Sequence, residues 1–236
     1  MKIKTLRSSS YILTISILCT IAFVGISQAS GKYPPATEAL PPMKVLGTDG
    51  QVEEIGLTDV YDHYGGHTCP GLTMSFMALS YGTSMLFTDG EPVNFEDLVI
   101  FARAPGGPID LLDFFVKGRD NTKRTWPPSG MISGMKSFTF DFMRKSTLQG
   151  VHVELQDGLW PSDWFELKKK KKTGTITKQE EQKQNDNRAY VLNQFPLKSF
   201  QELFGTPRPY TFVGWGTLES GEMDKLIRAQ RHRSRK

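Results

Sequence analysis

The chain has 236 residues, 38% of them hydrophobic, which suits one domain with a sizeable core. Its 29 Lys and Arg stand against 25 Asp and Glu, a formal net charge of +4. With Cys19 and Cys69 as the only cysteines, it cannot hold an iron–sulfur cluster by itself.

Lys2, Lys4 and Arg7 give a positive start, Tyr11 to Ile26 is an apolar run, and Ser27-Gln28-Ala29 closes it with small residues. That pattern predicts a secretory signal peptide over 1–29, cut after Ala29. An uncleaved anchor is the alternative, but the run is short for a span. Leu18 before Cys19 is too large for a lipoprotein cleavage site, and no twin-arginine pair is present. Export by the general route, to a bacterial periplasm, is the expectation. Losing Lys2, Lys4 and Arg7 leaves 26 basic against 25 acidic residues, so the basic character is local, in Lys168–Lys172 and Lys225–Lys236. Cys69 is then the sole cysteine, and no transmembrane span remains.

Residues 30–56 read as an extended leader, rich in Pro to Pro42, with a short hairpin in Met43–Ile55 around Thr48-Asp49-Gly50. An α+β core is expected over 57–216. Leu57–Tyr64 predicts a helix with Thr58 as its cap. Cys69–Leu86 predicts a central helix, with Pro70 in its first turn and Leu72, Phe76 and Leu79 at helical spacing. Met74 and Met77 add a second apolar stripe, so this helix should be buried on most sides. Glu96–Arg103 reads as a strand, Ala104–Pro108 as a turn, Ile109–Val116 as a short helix and Lys117–Gly134 as a polar connection. Ser137–Arg144 and Gly150–Gln156 alternate, and predict a hairpin with Phe138, Phe140, Phe142, Val151, Val153 and Leu155 on one face. Ser162–Lys172, stopped at Gly174, and a helix from the capping box Thr177–Glu180 to about Asn193 predict a helical hairpin. Phe200–Phe204 reads as an apolar turn and Arg208–Trp215 as a last strand, followed by a basic tail over 217–236. The sheet is expected to be antiparallel or mixed.

The chemistry concentrates in Tyr61–Gly71, YDHYGGHTCPG. His and Cys ligate borderline metals, and the glycines let the backbone bend so that nearby side chains converge. His63, His67 and Cys69 are the candidate ligands, zinc the first candidate ion, and Ni, Fe and Cu the others. Three protein ligands would leave a position open, for Asp62, Asp110, water or a partner's residue. The plain alternatives are a surface His63 and an inert, buried Cys69. A second chemistry makes Cys69 a nucleophile, since a helix N-terminus favours a thiolate and His67 is near in sequence. Without a second cysteine, thioredoxin-like exchange within one chain is excluded. A third reading places Trp126, Trp160 and Trp164 around a small organic ligand. Phosphate-loop, dinucleotide, haem-attachment and His-Glu-x-x-His motifs are all absent. Export argues against nucleic acid as a partner for Arg228–Lys236, and for anionic lipid or simple solvation.

Tyr64-Gly65-Gly66-His67-Thr68-Cys69-Pro70-Gly71 resembles the signature of the FmdE family, named after a subunit encoded with molybdenum formylmethanofuran dehydrogenase. The family pattern is roughly Phe-His-Gly-His-x-Cys-Pro-Gly before an apolar helix. Its first histidine falls here on Gly65, with His63 two residues earlier. In a second block the family's cysteine falls on Gly107 while Asp110 is kept, and a Gly-Lys pair reads Gly134-Met135. Without a cysteine after Cys69 the chain lacks the C-terminal zinc finger of many members. The resemblance implies an α+β core, pairing into a homodimer that could complete a site short of ligands, and an accessory role. That role would be metal or metal-cofactor handling, or support of a redox or uptake system through a protein partner.

Overall fold

The computed structural model describes residues 31–88, 90–117 and 134–211, with isolated positions at 131, 219, 222 and 225. The signal region 1–29, most of the 117–134 connection with Trp126, and nearly all of the basic tail lie outside the described residues. The described residues form one compact unit.

The fold is α+β. Pro34-Pro35 starts a helical turn, α1 (Pro35–Glu38), inside the segment read as extended; Pro35 sits where its missing N–H costs nothing. β1 (Met43–Leu46) and β2 (Val52–Ile55) form the expected hairpin, its turn closed by Gly50 N–H donating to the Gly47 carbonyl at 3.0 Å. α2 (Leu57–His63) is capped by Gly56 rather than Thr58: the Asp59 carboxylate accepts the Gly56 N–H at 2.7 Å.

The central helix is α3 (Pro70–Leu86), buried on almost every side, with Leu72, Met74, Phe76, Met77 and Leu79 at most 3% exposed. Burying each such side chain contributes about 1.5–3 kcal/mol. Three of its internal hydroxyls bond back one turn, whereas the buried Ser80 Oγ has no partner. Thr73 donates to the Cys69 carbonyl at 3.1 Å, Ser75 to Gly71 at 2.7 Å and Thr83 to Leu79 at 2.7 Å.

A four-stranded antiparallel sheet, in the order β3 (Leu98–Ala102), β4 (Thr139–Arg144), β5 (Gln149–Glu154), β6 (Tyr210–Thr211), packs on α3. Phe140 and Phe142 alternate inward from β4, and Val151 and Val153 from β5, as their spacing predicts. Helix and sheet meet closely at Gly82, where a β-carbon would lie 2.4 Å from the Phe142 ring. A 3-10 turn, Phe95–Asp97, replaces the start of the predicted Glu96–Arg103 strand, because the Asn94 side chain accepts the Glu96 N–H at 2.9 Å.

α4 (Gly107–Lys117) packs across α3 and begins two residues before the predicted Ile109. α5 (Trp164–Thr173) and α6 (Lys178–Gln194) make the helical hairpin. Gly174 ends α5 at φ +69°. Thr177 and Glu180 exchange the expected capping bonds, at 3.2 and 2.9 Å. Lys170 bridges to Glu166 and Glu180, and Lys171 to Glu181, so the lysine run is partly neutralised by its own hairpin. The Phe200–Phe204 turn is a helix, α7, begun by a Ser199–Glu202 capping box.

Candidate functional site

α2 ends on a Schellman motif. The Gly66 N–H donates to the Tyr61 carbonyl at 2.7 Å and the Gly65 N–H to Asp62 at 3.0 Å, with Gly65 at φ +76° and Gly66 at +78°. This explains Gly65, where the FmdE pattern has histidine: the position takes the left-handed backbone that glycine adopts freely. The chain then reverses and passes His67 to Cys69, which adopts extended geometry as the N-cap of α3.

His63 ends α2 half-buried, its ring edge-on to Tyr64 at 4.7 Å and to Phe114 of α4 at 5.1 Å. It therefore has a packing role. His67 is exposed, and its Cδ2 lies 3.8 Å from where a β-carbon on Gly65 would stand. Cys69 is a free, half-buried thiol against the edge of the core, its Sγ 3.7 Å from the corresponding point on Gly71. Asp62 is engaged by the leader: its Oδ1 accepts from Lys32 Nζ and from the Tyr33 hydroxyl. The Lys32 bond, then the Tyr33 bond, holds its carboxyl below the ordinary carboxylate range. Asp110 sits in the first turn of α4, where its carbonyl accepts the Tyr64 hydroxyl at 2.6 Å. Among the described residues, no three His, Cys, Asp or Glu side chains are grouped so as to hold a metal ion. His67 and Cys69 flank Thr68 on the stretch between the turn and α3.

Four further residues shape this mouth, and none was a candidate ligand or nucleophile in the sequence. Tyr61 is fully buried with its hydroxyl 2.6 Å from Thr73 Oγ1; burial pushes its pKa up to about 12. Thr73 links that hydroxyl to the Cys69 carbonyl. Arg188, from α6, donates to the Thr68 carbonyl and to Thr68 Oγ1 at 2.7 Å. Gly107 brings the α4 backbone onto α3: a β-carbon there would lie 2.5 Å from the Gly71 carbonyl carbon and 2.7 Å from the Leu72 nitrogen. The place where the FmdE pattern puts a second cysteine is thus filled by backbone against backbone. The sequence read Ala104–Pro108 only as a turn, and no local signal marks a contact between residues 68 and 188.

Trp160 lies in the core against Phe138, Trp164 and Phe195, with ring centroids 4.3 to 5.9 Å apart. A cleft of about 740 Å³ opens elsewhere, between the β1–β2 hairpin and α4, and is lined by Val45, Asp49, Glu53, Phe95, Phe114 and Phe115 among others. Trp160 and Trp164 do not line it. Among the described residues no helix is long and apolar enough to cross a membrane. No protein-family model matches the chain, and no curated protein matches it.

Proposed function

We propose that this is an exported FmdE-like accessory protein that binds a transition metal ion, zinc first, through His67 and Cys69. One observation carries the reading. The Schellman turn after α2 leads to an exposed imidazole and, two positions on, the one half-buried thiol among the described residues, at the N-terminal end of a buried helix. Two protein ligands leave the remaining coordination positions to water, a second copy or a protein partner, as transfer requires rather than permanent structural binding. Zinc accepts mixed nitrogen and sulfur donors and would supply a site for exchanging such ligands. Elemental analysis of the untagged protein tests this beside Cys69→Ala and His67→Ala. Metal in the wild type that falls at least severalfold in both variants is the expected result; equal content in all three proteins refutes it.

Cys69 as a nucleophile is the second reading, favoured by Arg188 being fixed one residue away on Thr68. It predicts a thiol that alkylates readily near neutral pH in native protein without any metal being removed. Absence of native-state labelling would refute it.

A further inference from the structure

The consecutive lysines Lys168–Lys172 occupy the second half of α5, and the helix sorts them into two groups. Lys170 and Lys171 turn toward α6. Lys170 Nζ lies 3.0 Å from a Glu166 oxygen and 2.5 Å from one of Glu180, and Lys171 Nζ lies 3.1 Å from Glu181. Lys168, Lys169 and Lys172 are exposed, and among the described residues none of them has an ion-pair partner. The helix dipole favours cations in the last turn, which accounts for Lys172 but not for Lys168 and Lys169.

Packing fixes which way this second group points. Leu167 is buried, and the Trp164 ring stands edge-on to the core Trp160 at 5.4 Å, which sets the rotation of α5 about its axis. At about 100° per residue, Lys168, Lys169 and Lys172 fall within an arc of about 100° on the side away from Leu167. Phe165, half-buried against the core, falls in the middle of that arc, about one turn before the lysines. Glu166 falls outside it, beside Lys170. A helix face of lysines around an aromatic ring suits an anionic bilayer. The long lysine stems carry their charges to the headgroup phosphates, and the exposed edge of the ring meets the boundary with the acyl chains. A single convex turn of helix fits such a flat surface better than a nucleic-acid strand, which a charged groove would track.

We propose that α5 docks this protein on an anionic phospholipid bilayer through Lys168, Lys169 and Lys172, with Phe165 at the level of the headgroups. The inference does not rest on the metal reading, and Cys69→Ala should bind membranes as the wild type does. The test is co-sedimentation of the purified protein with vesicles of phosphatidylcholine, alone or mixed equally with phosphatidylglycerol, at low and at high salt. Binding to the mixed vesicles only, and its loss in high salt, is the expected result. Lys168→Gln, Lys169→Gln and Lys172→Gln together should weaken it at least about tenfold, because each lysine near an anionic surface contributes a several-fold factor. The far-UV circular dichroism of that variant should be unchanged, since the three positions are exposed and Gln matches Lys in helix propensity. Lys44→Gln, at an exposed lysine of β1, should leave binding intact. Failure to bind anionic vesicles overturns the proposal, whether or not a single-stranded oligonucleotide binds instead. Equal binding to neutral vesicles, or a triple variant that binds like the wild type, overturns it as well.

Discussion

Gly107→Ala probes the contact on which the candidate site is built. The added carbon would stand 2.5 Å from the Gly71 carbonyl carbon, 2.7 Å from the Leu72 nitrogen and 2.9 Å from the Gly71 α-carbon. All three are backbone atoms, so no flexible side chain can move aside. Restoring ordinary contact, which begins near 3.4 Å, requires α3 and α4 to part by roughly an ångström. Overpacking of this kind costs about 1–3 kcal/mol. Alanine's better helix propensity recovers less than about 1 kcal/mol, because Gly107 is the first residue of α4. A net loss of about 1–2 kcal/mol lowers Tm by roughly 2–8 °C in a chain of this length. Urea and thermal unfolding measure both, with Gly134→Ala as the control. Gly134 has no heavy atom within 4 Å of its would-be β-carbon, so that change should fall within about 0.5 kcal/mol of zero. A Gly107→Ala protein as stable as the wild type would refute the account of the helix crossing.

Three other outcomes follow from the same geometry. Gly65→His restores the FmdE-pattern histidine at a left-handed position, and should cost about 1–2 kcal/mol in urea unfolding whatever it does to metal content. Tyr61 has its pKa raised from 10.0 to about 12, chiefly by burial, so its share of stability is complete below pH 10 and disappears as pH rises through 12. That loss is about 2–3 kcal/mol, and stability measured against pH should lack this limb in Tyr61→Phe. The depressed Asp62 carboxyl acts with the opposite sign, stabilising above the ordinary carboxylate range and losing that contribution as pH falls through its lowered value. Asp62→Asn should lower Tm at neutral pH, and its difference from the wild type should close in acid; a gap that persists there would contradict the reading.

The elements with strong local signals were legible in the sequence. The phenylalanine and valine alternation gave β4 and β5, Thr177 with Glu180 gave the start of α6, and Pro70 gave the start of α3. Where side chains overruled propensity, the sequence misled: Asp59 capped α2 through Gly56 instead of Thr58, and Asn94 curled residues 95–97 into a turn. At the site, the sequence indicated His67 and Cys69 as neighbours at a helix mouth. Nothing local shows that Phe114, well along the chain in α4, packs against the ring of His63. Arg188 and the Tyr61–Thr73 pair were invisible for the same reason: their meaning comes from tertiary contact, which spacing does not encode.

The leader's grip on Asp62 and the reach of Arg188 to Thr68 have a consequence for biogenesis. Residues separated by most of the chain's length must assemble before the turn between α2 and α3 is tethered on both flanks, so its completion comes late in folding. A nascent chain halted before Arg188 would already display the Cys69 sulfur without that anchor. Shielding the unfinished thiol until that point is therefore not a task this fold can perform alone.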